Sequence, residues 1–402
     1  MITVEDAEKT ILYNSLELDT ALCPLSSAHG KVLGEDIFAD RDLPPYDRVT
    51  IDGIAIAFPA WQQGHRRFRI EGTAQAGEPR SELQDRNAGC IEVMAGAVLP
   101  AGCDCVIPYN ELRTNGSESV VSENAVAQKG QHVHPQGTDS RKGALLLAKG
   151  NVLLSPQVEV IASIGLSSVE VSCTPSVAAL ACGNELLDLG MEIQPHQLRL
   201  SNNYGINAAL GNTGCANVSM FHTRNEPRQL ERVLKGILKD FDLIVVNGGI
   251  SAGEFDFVPG VLKSLDVKMV FDKVNQRPGK AFWFGITRDR KPVFALPGDP
   301  VSALVCMHRF VLPFLRKSMG AAPWPDEFAE LEQDILTEEF VTHYFPVQLS
   351  SRPDGTLTAR RTPYFGPGDV VSPGRSDGFI ELPDEKKAFR AGSGVRVHRW
   401  RC

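Results

Sequence analysis

Between residues 175 and 320, short apolar runs alternate with helical periods, and this alternation constrains the fold more than any other feature of the chain. SVAALACG (176–183), FDLIVVNGG (241–249) and KPVFALPG (291–298) are apolar runs that end in glycine. Unbroken apolarity suits a strand buried on both faces, as in a parallel sheet covered by helices. In PRQLERVLKGILKD (227–240), Leu230, Val233, Leu234, Ile237 and Leu238 fall at i, i+3, i+4, i+7 and i+8, the stripe of an amphipathic helix. NNYGINAAL (202–210) reads as another helix, and Val258, Val261, Leu262 and Leu265 mark a third. Asp299 and Pro300 supply the N-cap and first residue of a helix running to about residue 318. Strands alternating with helices predict a doubly wound α/β domain, whose ligands bind beyond the carboxyl ends of the strands.

The remaining sequence reads differently. Thr3 is an N-cap for an opening helix, with Asp6 three residues on. Residues 66–175 hold strand candidates such as RFRIEG (67–72), CIEVMAG (90–96) and CDCVIPY (103–109), punctuated by Gly, Pro, Asn and Asp. Residues 322–402 turn β-like again, with EEFVTHYFPVQL (338–349) and GVRVHRW (394–400) as strands of a small barrel or sandwich. The length of 402 residues accommodates several domains.

A net charge of −8 argues against non-specific nucleic-acid binding, which needs a basic surplus to displace counterions. No apolar run is long enough to span a bilayer, and the acidic start MITVEDAE lacks a signal-peptide layout, so a soluble, cytoplasmic protein is expected. Nine cysteines without a C-x-x-C pair read as reduced structural thiols. His132 and His134 read as residues of an exposed strand or loop, not as a metal site.

Three loops fall where strands of the α/β domain end: GNELL (183–187), GGISAGEFD (248–256) and LPGDPVSA (296–303). Glycines let backbone N–H groups approach an anion, and helix N-termini add free donors and a positive dipole end. Ser251 and Ser302 offer hydroxyls, while Glu185, Glu254 and Asp256 are the acids that Mg²⁺ would bridge to a phosphate. Singly, each loop is an ordinary β–α turn, and Glu254 and Asp256 are helix caps; together they read as one anion site. RPGKA (277–281) holds Arg277 and Lys280 across a Pro-Gly turn, either a solvated basic turn or a seat for a tetrahedral oxyanion. Asp52 in TIDG (50–53) reads in isolation as a turn carboxylate.

In chain order these segments resemble the MoeA family, which includes the E domain of gephyrin. KVLGEDIFADRDLPPYDRVTIDGIA (31–55) is similar to the family's LAEDI…LPPFDNSAMDGYA, MAGAVLPAGCDCVI (94–107) to MTGAPLPEGADAVV, and GQHVHPQGTDSRKG (130–143) to GENIRRRGEDI. GNELL, RLSN (199–202), GGISAGEFD, RPGKA, LPGDPVSA and SDGFIELP (376–383) follow in family order. The resemblance implies a multidomain α+β protein. Linking domain I would take 1–45 and 142–174, β-rich domain II 46–141, a MogA-like doubly wound α/β domain III 175–321, and C-terminal β-barrel domain IV 322–402. It implies a transferase that inserts molybdenum from molybdate into adenylylated molybdopterin, with Mg²⁺ required and AMP released. It also implies a homodimer and a MogA-type adenylyltransferase upstream.

Residue roles follow from the same resemblance. Arg277 and Lys280 match the lysines that hold molybdate, with Ser302, Pro297 and Gly298 beside them. Gly248, Gly249, Ser251, Gly253 and Asp256 match the loop for the pterin phosphate and nucleotide side. Glu185 matches the acid of G[DN]E and, with Asp256, would hold Mg²⁺. Asp52 would reach the partner's site, and Asp139 matches the aspartate of RRxGxD. The sequence departs from the family at Ala95, Asp299, Arg277, His134-Pro135-Gln136 and the GPGD turn at 366–369. These departures support a second reading, a paralogue that binds molybdopterin or a partner and inserts metal poorly.

Overall fold

The computed structural model describes residues 1–400 except 213–215, 251–252, 254–255, 338–339 and 386. The chain forms two compact units. One comprises 1–35, 149–158 and 167–402, and the other 36–148 and 159–166.

In the larger unit the opening helix is α1 (Val4–Tyr13), capped as expected by Thr3, whose Oγ1 accepts from the Asp6 N–H at 3.0 Å. The central sheet holds β1 (Ser176–Cys182), β2 (Asn217–Thr223), β3 (Leu243–Asn247), β4 (Lys268–Phe271), β5 (Trp283–Ile286) and β6 (Pro292–Leu296), in the order β2-β1-β3-β6-β5-β4. The first four in that order are parallel; β5 pairs antiparallel with β6, and β4 pairs antiparallel with β5, so the edge strand β4 runs with the first four again. The reversal of β5 has a local cause. The turn between β5 and β6, closed by Thr287 N–H to Lys291 O at 3.0 Å, is too short for a crossover.

The apolar runs are continuous because both faces of the sheet are covered. Val177, Ala179, Leu243, Val245, Phe294 and Leu296 face one core; Ala178, Leu180, Ile244, Val246, Val293 and Ala295 face the other. The first core is closed by α1, by α2 (Ser201–Asn212) and by the helix from Pro300 to Ser318. The second is closed by α3 (Pro227–Asp240) and α4 (Val258–Ser264), with Leu230, Leu234 and Ile237 of the predicted stripe buried. The Pro300–Ser318 helix comprises α5 (Pro300–Cys306), a π turn (Met307–Val311) and α6 (Leu312–Ser318).

The C-terminal strands are β7 (Glu327–Leu331), β8 (Thr342–Ser351), β9 (Leu357–Arg361), β10 (Gly378–Leu382) and β11 (Gly394–Arg399). They pair β8-β9-β7-β11-β10, and β10 returns to β8, which closes a five-stranded barrel. Closure removes the free edges that an open sheet of this size would expose.

The smaller unit holds a six-stranded sheet ordered Cys105–Pro108, Gly53–Ile56, Gly89–Val93, Arg67–Ala74, Glu118–Val121, Leu112–Asn115. Burial pushes the thiols of Cys90, Cys103 and Cys105 up to about 12, which fits inert structural cysteines. Among the described residues no helix is long and apolar enough to cross a membrane.

Candidate active site

Strands β1, β3 and β6 are parallel neighbours, so the loops that leave their carboxyl ends lie side by side. Gly248 N–H donates to Leu296 O at 3.0 Å, which joins the second loop to the third strand. Gly248 has φ +94°, and a Cβ there would stand 2.5 Å from Cys182 O, so only glycine lets this loop cross the end of β1. Gly249 follows at φ +70°.

Asparagines tie the loops together. Asn247, 3% exposed at the end of β3, donates to Pro297 O at 2.6 Å. Asn202 of α2 donates to Asn247 Oδ1 at 3.1 Å and to Gly298 O at 2.8 Å. Asn184 Oδ1 accepts from the Asn225 N–H at 2.9 Å, and Asn225 Oδ1 accepts from the Cys182 thiol at 3.4 Å.

Asp256 folds back on its own loop, its Oδ2 accepting from the Gly253 N–H at 2.6 Å. Glu185 is exposed just beyond β1. The Cys182 thiol is pushed up to about 12 by burial and then by the fields of Glu185 and Asp256, so both carboxylates stand near the same strand end. Among the described residues no group of three or more His, Cys, Asp or Glu forms a metal cage. Two carboxylates at one strand end are nonetheless a donor set that fits Mg²⁺, which takes one or two carboxylates and completes its shell with water and ligand oxygens. Ser251 and Glu254 lie outside the described residues.

At the third loop Asp299 caps α5, its Oδ1 accepting from the Ser302 N–H at 2.8 Å. Burial raises the Asp299 carboxyl above its ordinary range, against the Ser302 hydroxyl and N–H that lower it. Ser302 is buried, and both its hydroxyl and its N–H serve Asp299.

The basic turn belongs to the same region. Arg277 and Lys280 are exposed, and the turn between them is closed from inside by Gln276, which donates to Gly279 O at 2.9 Å. Gln276 and Arg277 join this turn to the barrel by pairing parallel with Thr342 and His343 of β8, and Tyr364 packs nearby against Phe345. The Tyr364 hydroxyl is pushed up to about 12 by burial and by Asp299, opposed by Arg277, with Asp369 raising it and Arg361 lowering it. The 366–369 turn is fastened to the α5 N-terminus by Val301 N–H to Pro367 O at 3.3 Å. Asp369 shapes that turn by accepting from Val371 N–H at 2.9 Å, Ser372 N–H at 3.0 Å and Phe365 N–H at 3.3 Å.

Asp52 and Asp139 belong to the smaller unit. Asp52 accepts from the Ala95 N–H at 2.7 Å and so organises the turn that holds that departure. Asp139 Oδ1 lies 2.8 Å from His134 Nε2, and His134 Nδ1 lies 3.4 Å from Arg48.

Asn202, Asn225, Asn247 and Tyr364 were not among the residues singled out from sequence. Asn247 carried a signal, as a polar residue closing an apolar strand just before two glycines, and Asn202 closes the RLSN segment, though neither was given a role; Asn225 and Tyr364 carried none that a local pattern reveals.

Residues 2–165 match the MoeA N-terminal region (domain I and II), 178–317 a probable molybdopterin binding domain, and 329–400 the MoeA C-terminal region (domain IV). The chain is 35% identical over 401 residues to a molybdopterin molybdenumtransferase of Synechocystis sp., with 100% of each chain covered. It is 30% identical to one of Staphylococcus epidermidis, over 98% of this chain and 95% of that one. Its fold is similar to a crystal structure of a molybdopterin biosynthesis MoeA protein from Pyrococcus horikoshii, at TM-score 0.80 and 25% identity, covering 100% of both chains.

Proposed function

The chain belongs to the MoeA family, and we propose that, as a transferase of molybdenum cofactor biosynthesis, it inserts molybdenum from molybdate into adenylylated molybdopterin and releases AMP. The observation that carries this reading is the junction of three glycine-containing strand ends with two carboxylates and a basic turn in one unit. Cleaving a phosphoanhydride accumulates charge on phosphate oxygens, and preorganised N–H groups and cations stabilise it.

In this reading the loop of Gly248, Gly249, Ser251 and Gly253 receives the phosphate side of the substrate; the Gly248 and Gly253 N–H groups shape it by binding Leu296 O and Asp256 Oδ2, and the missing Cβ atoms leave room for close approach. Glu185 and Asp256 hold Mg²⁺. When bound, that ion neutralises charge on the phosphate oxygens. Arg277 and Lys280 hold molybdate beside Pro297, Gly298 and the N-terminus of α5, with Asp299 and Ser302 forming the floor. The protein's task is largely positioning, because molybdate has to sit next to the pterin dithiolene. A raised Asp299 carboxyl takes a proton more readily, which softens repulsion of an oxyanion.

The proposal extends to four domains, with boundaries near residues 46, 142, 175 and 322, to a cytoplasmic homodimer in which Asp52 reaches the partner's site, and to Asp139 as a substrate-binding residue. A MogA-type adenylyltransferase supplies the substrate. The test is AMP release from adenylylated molybdopterin, with and without Mg²⁺ and molybdate, alongside light scattering for the dimer. Molybdate-dependent release with active cofactor formed supports the transferase. Tight binding without release would favour the binding paralogue, and a monomer at working concentration would remove the shared site.

A further inference from the structure

The Pro300–Ser318 helix has its first turn at the strand-end loops and its last at a cavity of about 370 Å³. A rise of 1.5 Å per residue separates the two ends by roughly 25 Å. The cavity lies wholly within the larger unit, walled by α1, this helix, the segment leading into β7, and β11. Two helical rows reach it: His308, Leu312 and Arg316, then Arg309, Pro313 and Lys317, each spaced i, i+4, i+8. Glu8 and Leu12 make the same step on α1. His308 and Arg309 sit in the π turn, a distortion concentrated at functional sites in α-helices.

The carboxylates of the wall are already engaged. Glu8 pairs with Arg309 at 2.8 Å, Glu327 with Arg399 at 2.7 Å, and Asp326 with Arg396. Two polar groups remain open. Among the described residues Lys317 pairs with no carboxylate, and His308 makes no hydrogen bond, its ring meeting Trp400 edge-on at 5.1 Å. The Arg316 guanidinium lies over the Trp324 ring at 4.7 Å, which stiffens one wall.

We propose that this cavity is a second ligand site, taking a small aromatic acid. Its ring packs against Leu312, Pro313 and Trp324, its carboxylate meets Lys317, and His308 supplies a hydrogen bond. The volume falls at the lower end of small-molecule sites, which combine an apolar wall with a few polar groups. Burial holds His308 neutral, down to about 4, so it serves as a hydrogen-bond partner and adds no charge. The site is independent of the strand-end loops and does not rest on their proposed activity.

The test titrates the full-length protein with 2-naphthoate, 2-naphthamide and inorganic phosphate, read by tryptophan fluorescence and saturation-transfer NMR. Saturable binding of one naphthoate per chain is expected, about tenfold tighter than the uncharged amide. Lys317→Met should bring naphthoate down to the affinity of the amide, and Trp324→Ala should weaken both. Lys317→Met should keep the wild-type thermal midpoint, whereas Trp324→Ala, which removes a ring packed on the core, should lower it; at a temperature where both are folded, both should keep the wild-type molybdenum insertion rate, since neither side chain touches the strand-end loops. Absence of saturable binding at millimolar naphthoate would overturn the proposal. So would equal affinity for the amide, wild-type affinity in both variants, or displacement by phosphate alone.

Discussion

Asn202 donates its side-chain amide to the side-chain oxygen of Asn247 at 3.1 Å, and through this bond α2 fixes the end of β3. Asn247 in turn holds Pro297 O at 2.6 Å, so one buried asparagine spans two of the three loops. Asn247→Leu leaves Pro297 O and the Asn202 amide without that partner. The expected loss is about 1–3 kcal/mol of stability, with a fall in turnover. Urea midpoints and molybdenum insertion rates check it; unchanged values for both would contradict the bracing role.

Asp299 occupies the cap position with a carboxylate where an amide would also serve. Asp299→Asn keeps an acceptor for the Ser302 N–H and removes the negative charge. The expected result is a molybdate KM lower by about tenfold, equivalent to ~1.4 kcal/mol, with a similar KM for the pterin substrate. A molybdate KM that stays the same or rises would place the oxyanion away from this carboxylate.

The charges of Arg277 and Asp299 both act on the Tyr364 hydroxyl, in opposite directions. Arg277→Ala should raise the molybdate requirement by about tenfold or more while affinity for the adenylylated pterin changes little. Steady-state kinetics with each substrate varied in turn separate the two effects. An equal loss toward both substrates would move Arg277 out of the molybdate role.

Arg309 is 2% exposed and bridges Glu8 of α1 and Glu381 of β10. Despite burial, which would raise it, the Glu381 carboxyl is drawn down to about 2 by His398 and Arg309. Arg309→Met leaves Glu381 with His398 alone and Glu8, which is partly exposed, without its partner, and the expected destabilisation is about 2–4 kcal/mol. Calorimetry measures it, and a midpoint within a degree of wild type would count against the bridge.

His308 binds a proton less readily in the folded chain, at about 4, than its ordinary 6.5, because of burial and then His398. Between those values the unfolded chain carries more protons, so stability rises with pH. The contribution is complete above pH 6.5 and is lost as pH falls toward 4. Urea midpoints should therefore drop between pH 7 and 5 in the wild type and drop less in His308→Phe. Parallel profiles would show that His308 does not set the slope.

The strand-and-helix alternation of residues 176–318 was legible because its signals are local. Apolar runs, the Leu230–Ile237 stripe and the Asp299–Pro300 cap each depend on neighbours a few residues away. The glycines at 248 and 249 were equally legible, since a positive φ is a demand on a single residue. The reversal of β5 within the sheet was not, because strand direction there follows from the β5–β6 turn.

What the sequence determined by itself was the kind of elements and the chemistry at their ends: three glycine-containing turns, the acids beside them, and a basic turn. The tertiary structure decided which of those meet. Asn202 reaches Gly298 across 96 residues because β3 lies between β1 and β6. Tyr364 packs with Val301 and Val305 of α5, within the fields of Asp299 and Arg277, because the barrel loop is pinned to α5. The cavity beside Lys317 exists because α1 and β11, from opposite ends of the chain, pack against one helix. Contacts of that separation carry no local period, so only the packed chain defines them.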